Sequence, residues 1–178
     1  MSNFQTVKII SIDGNIGSGK STLMEKLKKY YCDNKNIVFL KEPVDEWETI
    51  TDEDNITILE KFYGDQNKYS FAFQMMAYIS RLAILRKTVK ENKNCILITE
   101  RSLYTDKLVF AKMLFEQGKI EDVNYQIYLN WFDEFASDCP VNNIIYVKTS
   151  PQKCYERVHK RARQGEEVIP LANLESCN

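Results

Sequence analysis

Short apolar runs rich in β-branched residues alternate with longer amphipathic stretches along this chain. The runs predict β-strands at residues 7–13, 36–41, 95–99 and 143–148. The intervening stretches predict helices from Lys20 onward, at 52–61, 66–91, 104–117 and 121–137, and from Pro151 to about Arg163. Strands that alternate with helices in this way form a parallel sheet covered on both faces. The pattern therefore predicts one α/β domain over residues 1–178.

Composition narrows the class of protein. The 178 residues suit one hydrophobic core, 44% of them are hydrophobic, and the formal net charge is −1. This balance gives no basic excess for binding long nucleic acids, and no apolar run is long enough to span a membrane. The five cysteines have no metal-ligand spacing and are typical of reduced thiols. Because the first strand begins at residue 7, no signal peptide is predicted, and we expect a soluble cytoplasmic protein.

A phosphate-binding loop follows the first predicted strand. Residues 14–21 read GNIGSGKS, which fits the P-loop pattern G-x-x-x-x-G-K-[ST] at every fixed position. Its glycines let successive backbone N–H groups surround a phosphate, and the next helix adds the positive end of its dipole. We expect Lys20 to reach the β- and γ-phosphates of ATP, and the Ser21 hydroxyl to ligate Mg²⁺. The predicted nucleotide-binding residues are Gly14, Asn15, Ile16, Gly17, Ser18, Gly19, Lys20, Ser21 and Thr22.

Charged residues stand at the carboxyl ends of the next two strands. Glu42 follows the second strand, and Glu100 and Arg101 follow the third. Because ligands of an open parallel sheet bind beyond these ends, the three side chains should converge on the P-loop. One carboxylate can accept a hydroxyl proton and the other can hold magnesium, while Arg101 neutralises charge on the transferred group. The residues alone leave open how Glu42 and Glu100 divide those roles.

A basic cluster occurs near the end of the chain, where five of the seven residues 157–163 are basic. Without a P-loop, such a cluster is typical of a solvated helix end favoured by the helix dipole. With a triphosphate to enclose, Arg161 and Arg163 become candidates for a lid over the transferred phosphate. Arg157 is grouped with them as a predicted nucleotide contact.

The sequence resembles the deoxyribonucleoside kinases, the group of deoxycytidine, deoxyguanosine and mitochondrial thymidine kinases. The matching segments span nearly the whole chain in the family's order. They are residues 12–22, Glu42-Pro43-Val44 with Trp47, residues 71–74 with Arg81, residues 100–102 with Tyr104 and Asp106, and residues 157–163 followed by Glu166, Ile169, Pro170 and Leu171. The resemblance implies a P-loop kinase fold, ATP and Mg²⁺, a deoxynucleoside acceptor in nucleotide salvage, and a homodimer.

The resemblance also implies roles for single residues. Glu42 corresponds to the general base on the 5′-hydroxyl, Arg101 to its partner, and Glu100 to a carboxylate on the magnesium side. Lys20 joins them as a catalytic residue. Other matches imply contacts to the sugar 3′-hydroxyl from Tyr63 and Glu166, a contact to the base from Gln74, and packing walls from Trp47, Phe73 and Phe110.

The base-reading positions lie on one side of the predicted long helix. Gln74, Ala77 and Arg81 fall within about 60° of one another at 100° per residue. On the opposite side, Met76, Ile79 and Ala83 are expected to form the core face. Ala77, Arg81 and Asp106 together resemble the deoxycytidine and deoxyguanosine kinases. Because a charged pair disfavours the methyl group of thymidine, we expect deoxycytidine, deoxyadenosine or deoxyguanosine to be preferred.

Other functions stay open. Family members usually continue beyond the Ile-Pro-Leu segment, so the family's C-terminal strand and helix are expected to be missing, and a truncated, inactive nucleoside-binding subunit is one alternative. A nucleoside monophosphate kinase is another, although its anionic acceptor would lie beside the Glu42 carboxylate. A nucleotide-dependent switch is disfavoured, because no Asn-Lys pair is followed by the required aspartate.

Overall fold

The computed structural model describes residues 7–161 and 169–177. In this part of the chain, one four-stranded sheet has the order β2-β3-β1-β4, and every pair is parallel. Its strands are β1 (Lys8–Asp13), β2 (Ile37–Leu40), β3 (Ile96–Glu100) and β4 (Asn143–Tyr146). The predicted parallel α/β fold is confirmed, and the central position of β1 places the P-loop between the ends of its neighbours.

Helices connect the strands and cover the sheet. They are α1 (Lys20–Tyr30), α2 (Val44–Trp47), α3 (Ile58–Gly64), α4 (Gln66–Glu91), α5 (Leu103–Thr105), α6 (Lys112–Glu116), α7 (Asp122–Phe135), α8 (Pro151–Arg161) and α9 (Leu171–Ser176). A π-helical turn, Asp106–Ala111, joins α5 to α6, and a 3₁₀ turn, Ala136–Asp138, follows α7. None of the described helices is long and apolar enough to cross a membrane.

Hydrophobic cores lie on both faces of the sheet. On one face, Ile9 and Leu97 pack with residues of α4 and α7, among them Tyr78 and Tyr128. On the other, Ile12 packs with α1. Because Ile9 and Ile12 are three residues apart on β1, the alternation of side chains sends them to opposite faces. The central strand is therefore buried on both sides, as parallel sheets require.

Two sequence predictions about helices are wrong. The predicted helix at 52–61 begins only at Ile58, because Thr57 and Glu60 form a reciprocal capping box there. On α4, the expected core face is open, with Ile79 51% exposed and Ala83 also exposed. The core is instead reached by Tyr78, Leu82 and Leu85, next to the positions predicted to read the base. One buried arc of α4 therefore serves both the cavity and the core.

Candidate active site

The P-loop joins β1 to α1 and depends on glycine at two close approaches. Gly14 and Gly17 have φ angles of 147° and 75°. A Cβ atom at Gly14 would lie 2.7 Å from the carbonyl oxygen of Val147, and one at Gly17 would lie 2.6 Å from that of Cys154. A larger residue at either position would therefore push the loop away from Val147, which follows β4, or from Cys154 of α8.

Lys20 lies buried inside the loop. Its Nζ atom donates hydrogen bonds to the carbonyl oxygens of Gly14 (3.0 Å) and Asn15 (2.8 Å). Burial, together with the neighbouring Arg101 guanidinium, lowers the pKa of Lys20 to about 7. Anionic phosphate oxygens beside the amine would favour its charged form. A bound phosphate would therefore stabilise the cationic form of Lys20.

Two oxygen ligands meet at the start of α1. The Ser21 hydroxyl donates to Glu100 Oε1 at 2.5 Å. Hydroxyl and carboxylate oxygens suit Mg²⁺, so these residues fit the predicted metal site. Within residues 7–161 and 169–177, no group of three or more His, Cys, Asp or Glu side chains is arranged to hold a metal. A magnesium ion bound here would therefore complete its shell with nucleotide oxygens and water.

Two arginines hold Glu42, which follows β2. Its Oε1 atom accepts a hydrogen bond from Arg81 Nη2 and lies 3.4 Å from Arg101 Nε. Burial alone would raise the pKa of the Glu42 carboxyl, but these guanidinium groups outweigh burial and hold the pKa well below its usual value. The Arg101 guanidinium also stacks over Phe110, 4.5 Å from the ring centroid. Glu42 is thus ionised at neutral pH and points into an arginine-rich site.

Arg81 connects Glu42 to a second buried carboxylate. Arg81 Nε lies 2.9 Å from Asp106 Oδ2, although the two atoms are not aligned for a hydrogen bond. Burial raises the pKa of Asp106 to about 6 against the opposing effect of Arg81 and Arg101. The predicted Arg81–Asp106 pair is present. Its contact with Glu42 was missed, because 39 residues separate Glu42 from Arg81 and no local spacing signals the pair.

A cavity of 840 Å³ brings most of the predicted site residues together. Its lining includes Ile16, Gly17, Ser18, Gly19, Lys20, Ser21, Thr22, Glu42, Trp47, Tyr63, Phe73, Gln74, Ala77, Arg81, Glu100, Arg101, Asp106, Phe110, Arg157 and Arg161. Gly14 and Asn15 are not among the described residues that line it. Arg163 and Glu166 lie outside the described residues. The sequence thus predicted residues that converge in space from both halves of the chain.

Aromatic rings and one amide also line the cavity. Phe73 stacks on Phe62 with centroids 4.4 Å apart and meets the edge of Trp47 at 5.6 Å. Gln74 is 3% exposed, and its Oε1 atom has no hydrogen-bond partner within the described chain. A buried unpaired acceptor costs about 1–3 kcal/mol, so a ligand that donates to it would be favoured. Phe62 was missed by the sequence analysis, although it belongs to the apolar stripe of α3.

The segment after α8 supplies contacts that the sequence analysis also missed. Asn15 Nδ2 donates to the carbonyl oxygen of Leu174 in α9 at 2.6 Å. Asn173 and Cys177 from the same region line the cavity. Arg157 donates to the carbonyl oxygen of Ser18 at 3.0 Å, which places it against the P-loop as expected. The sequence analysis matched Ile169, Pro170 and Leu171 to the family but predicted neither helix α9 nor its contact with the P-loop.

The fold and the site define a P-loop phosphotransferase with a large cavity beside its phosphate loop. Comparison with known proteins makes the class specific: the chain belongs to the deoxynucleoside kinase family, whose family model matches residues 10–178. Deoxycytidine kinase 2 of Gallus gallus is 36% identical, over 99% of this chain and 74% of the relative. Deoxycytidine kinase of Homo sapiens is 34% identical, over 97% and 73%. The mitochondrial thymidine kinase 2 of Homo sapiens is 30% identical, over 96% and 61%.

Membership of this family confirms the predicted enzyme class. The chain is a kinase that uses ATP as phosphoryl donor and a small deoxynucleoside as acceptor. The relatives include kinases named for deoxycytidine and for thymidine, so the family alone does not fix the base.

Proposed function

We propose that this chain phosphorylates the 5′-hydroxyl of deoxycytidine, deoxyadenosine or deoxyguanosine in preference to thymidine, and serves nucleotide salvage in the cytoplasm. The observation that carries the proposal is the buried Arg81–Asp106 pair, which lies in the cavity wall together with Gln74. This pair is charged and largely removed from water, so the cavity disfavours a methyl group beside it.

Phosphoryl transfer requires a nucleophile, an acceptor for its proton and positive charge at the transferred group. We assign the role of proton acceptor to Glu42, whose carboxylate is ionised and lies in the cavity. Lys20 and Arg101 supply the positive charge, and both line the same cavity as Glu42. Mg²⁺ at Ser21 and Glu100 would neutralise charge on the donor phosphates when bound.

The aromatic wall and Gln74 orient the acceptor. The stacked Phe62 and Phe73 rings present apolar surface for a flat base, and the unpaired Gln74 oxygen can accept a hydrogen bond from an exocyclic amino group. Cytosine, adenine and guanine carry such a group, whereas thymine does not. The Arg81 guanidinium cannot move freely away to make room for a methyl group, because it also binds Glu42.

The test is kcat/KM for the four natural deoxynucleosides, measured on the unsubstituted chain and on Arg81→Leu/Asp106→Leu. We expect thymidine to be the poorest substrate of the unsubstituted chain. In the double variant, the ratio of thymidine to deoxycytidine activity should rise, although total activity falls because Glu42 loses its closest cation. Thymidine as the best substrate of the unsubstituted chain would contradict the proposal.

A matched control comes from the same helix. Arg86 on α4 forms an ion pair with Asp138, and both side chains are substantially exposed. Arg86→Leu/Asp138→Leu removes an equivalent pair outside the cavity. The ratio of thymidine to deoxycytidine activity should not change in this control, so a change there would show that the ratio responds to a general effect on the fold.

We also propose a homodimer, which the family resemblance implies. Apolar side chains on two neighbouring helices support it: Ile79 of α4 is exposed, and α7 exposes Val123, Ile127 and Trp131 at four-residue spacing. A second copy of the chain would cover this face. Sedimentation equilibrium should give a dimer for the unsubstituted chain and a monomer for Ile79→Glu/Trp131→Glu, whereas a monomer for both would contradict the proposal.

A further inference from the structure

The turn after β3 has an unusual backbone conformation. Arg101 has a φ angle of 69°, in the left-handed region that residues with a Cβ atom seldom adopt. From this turn, the Arg101 guanidinium reaches the P-loop and the Glu42 carboxylate. Its Nη1 atom donates to Gly14 O at 3.4 Å, and its Nε atom lies 3.4 Å from Glu42 Oε1. A strained residue at a site of this kind requires neighbours that hold it in place.

Asp13, the last residue of β1, provides such a hold. Asp13 is 6% exposed. Oδ1 accepts hydrogen bonds from the Ser102 backbone N–H and the Ser11 hydroxyl, both at 2.9 Å. Oδ2 accepts one from the Ser102 hydroxyl at 3.1 Å, and the same hydroxyl accepts the Thr105 backbone N–H at 3.1 Å to cap α5. Asp13 therefore binds both the backbone and the side chain of the residue that follows Arg101.

The other side of the turn is also fixed to β1. The Arg101 backbone N–H donates to the carbonyl oxygen of Ile12 at 3.0 Å. Residues 101 and 102 are thus held by two consecutive residues of β1, immediately before the P-loop begins at Gly14. The strand that carries the donor-binding loop consequently also sets the position of the arginine.

We propose that Asp13 is a positioning residue for phosphoryl transfer. It holds Ser102 so that Arg101 keeps its left-handed backbone and its guanidinium stays beside Glu42 and the P-loop. Asp13 is not among the described residues that line the cavity, so it acts through Arg101. This inference rests on the proposed role of Arg101 in the kinase reaction.

Two substitutions of Asp13 distinguish a role of its hydrogen bonds from a role of its negative charge. An asparagine at position 13 keeps one oxygen for the Ser102 and Ser11 donors, and its amide nitrogen can donate to the Ser102 hydroxyl. Asp13→Asn should therefore preserve the turn, whereas Asp13→Ala leaves the Ser102 N–H without its acceptor. If Asp13 acted through its negative charge, the two variants would be equally impaired.

The kinetic test compares both variants with Ser11→Ala, a control that removes one bond to the same carboxylate and leaves those to Ser102. We expect Asp13→Ala to lower kcat about 10- to 100-fold, because misplacing a catalytic group by about 1 Å can have an effect of this size. The nucleoside KM should change less than about threefold, since the base and sugar contacts remain. Asp13→Asn and Ser11→Ala should each stay within about fivefold of the parent kcat.

A double-mutant cycle tests whether the effect passes through Arg101. In an Arg101→Ala background, Asp13→Ala should change kcat less than about twofold, because the group it positions is gone. An equal loss in both backgrounds, or an unchanged kcat in Asp13→Ala itself, would overturn the inference.

A readout independent of activity separates this inference from the proposed function. The crystal structure of Asp13→Asn should retain the left-handed backbone at residue 101, and that of Asp13→Ala should lose it. A left-handed Arg101 in Asp13→Ala would overturn the inference, even if the parent chain is an active kinase. A parent chain that phosphorylates no deoxynucleoside would instead refute the proposed function, and the two crystal structures would still decide how the turn is held.

Discussion

The donor side and the acceptor side of the cavity are built in different ways. On the donor side, one continuous segment, residues 14–22, supplies the loop, the lysine and the serine. On the acceptor side, single residues from the segment after β2, from α4 and from the π-helical turn meet through the Glu42–Arg81–Asp106 contacts. A bound phosphate would thus be surrounded mainly by backbone, whereas a bound nucleoside would face side chains held by ion pairs. Substitutions on the donor side should affect all nucleosides alike, and those on the acceptor side should change the ratio between them.

The largest effect is expected where the two sides meet. Glu42→Gln keeps the shape of the side chain but removes most of its basicity, so kcat should fall ~10²- to 10⁴-fold. Nucleoside binding, measured by calorimetry, should largely survive. If binding collapses and the rate per bound complex does not change, Glu42 positions the sugar and is not the base.

A slightly smaller effect is expected on the donor side. Lys20→Ala leaves the backbone of the P-loop in place but removes its cation, and turnover should fall at least ~100-fold. Steady-state assays with two different deoxynucleosides should show the same factor for both. Retention of most of the phosphoryl transfer would contradict the functional interpretation of the P-loop.

A moderate, base-dependent effect is expected on the acceptor side. Gln74→Leu keeps the volume but removes the amide, so the nucleoside KM should rise about tenfold, the value of one or two neutral hydrogen bonds. The kcat value and the KM for ATP should change little. An increase in the KM for ATP equal to that for the nucleoside would show that the two sides are not separable.

The last prediction concerns stability rather than rate. The folded-state pKa of Lys20, about 7, lies below its ordinary value of 10.5, so the unfolded chain binds more protons between these pH values. The native state of the parent chain should therefore gain stability as pH rises from 7 to 10.5. Lys20→Met lacks this titration, and its unfolding free energy relative to the parent should be highest at pH 7 and decline toward pH 10. Denaturant titrations at several pH values measure this slope, and a constant difference would contradict the burial of a charged amine.

The same comparison explains how far the sequence could predict the structure. The parallel sheet and the P-loop follow from local signals, namely apolar runs and one contiguous motif. The acceptor side was reached mainly through family resemblance, because the Arg81–Glu42 contact depends on tertiary structure alone. Helix α9 and the Asn15–Leu174 hydrogen bond were missed because a short helix stabilised by packing leaves little periodicity in the sequence. The face of α4 was misjudged because in the middle of this helix the exposed Ile79 and Ala83 are apolar, whereas the buried arc includes the polar Gln74 and Arg81.

The reaction proposed for this chain joins the γ-phosphate of ATP to a deoxynucleoside hydroxyl. The most direct measurement incubates the purified 178-residue chain with γ-labelled ATP, Mg²⁺ and either deoxycytidine or deoxycytidine 5′-monophosphate, and identifies the labelled product. We expect labelled 5′-monophosphate from deoxycytidine and no labelled product from the monophosphate. Label in a diphosphate, or release of free phosphate alone, would contradict it.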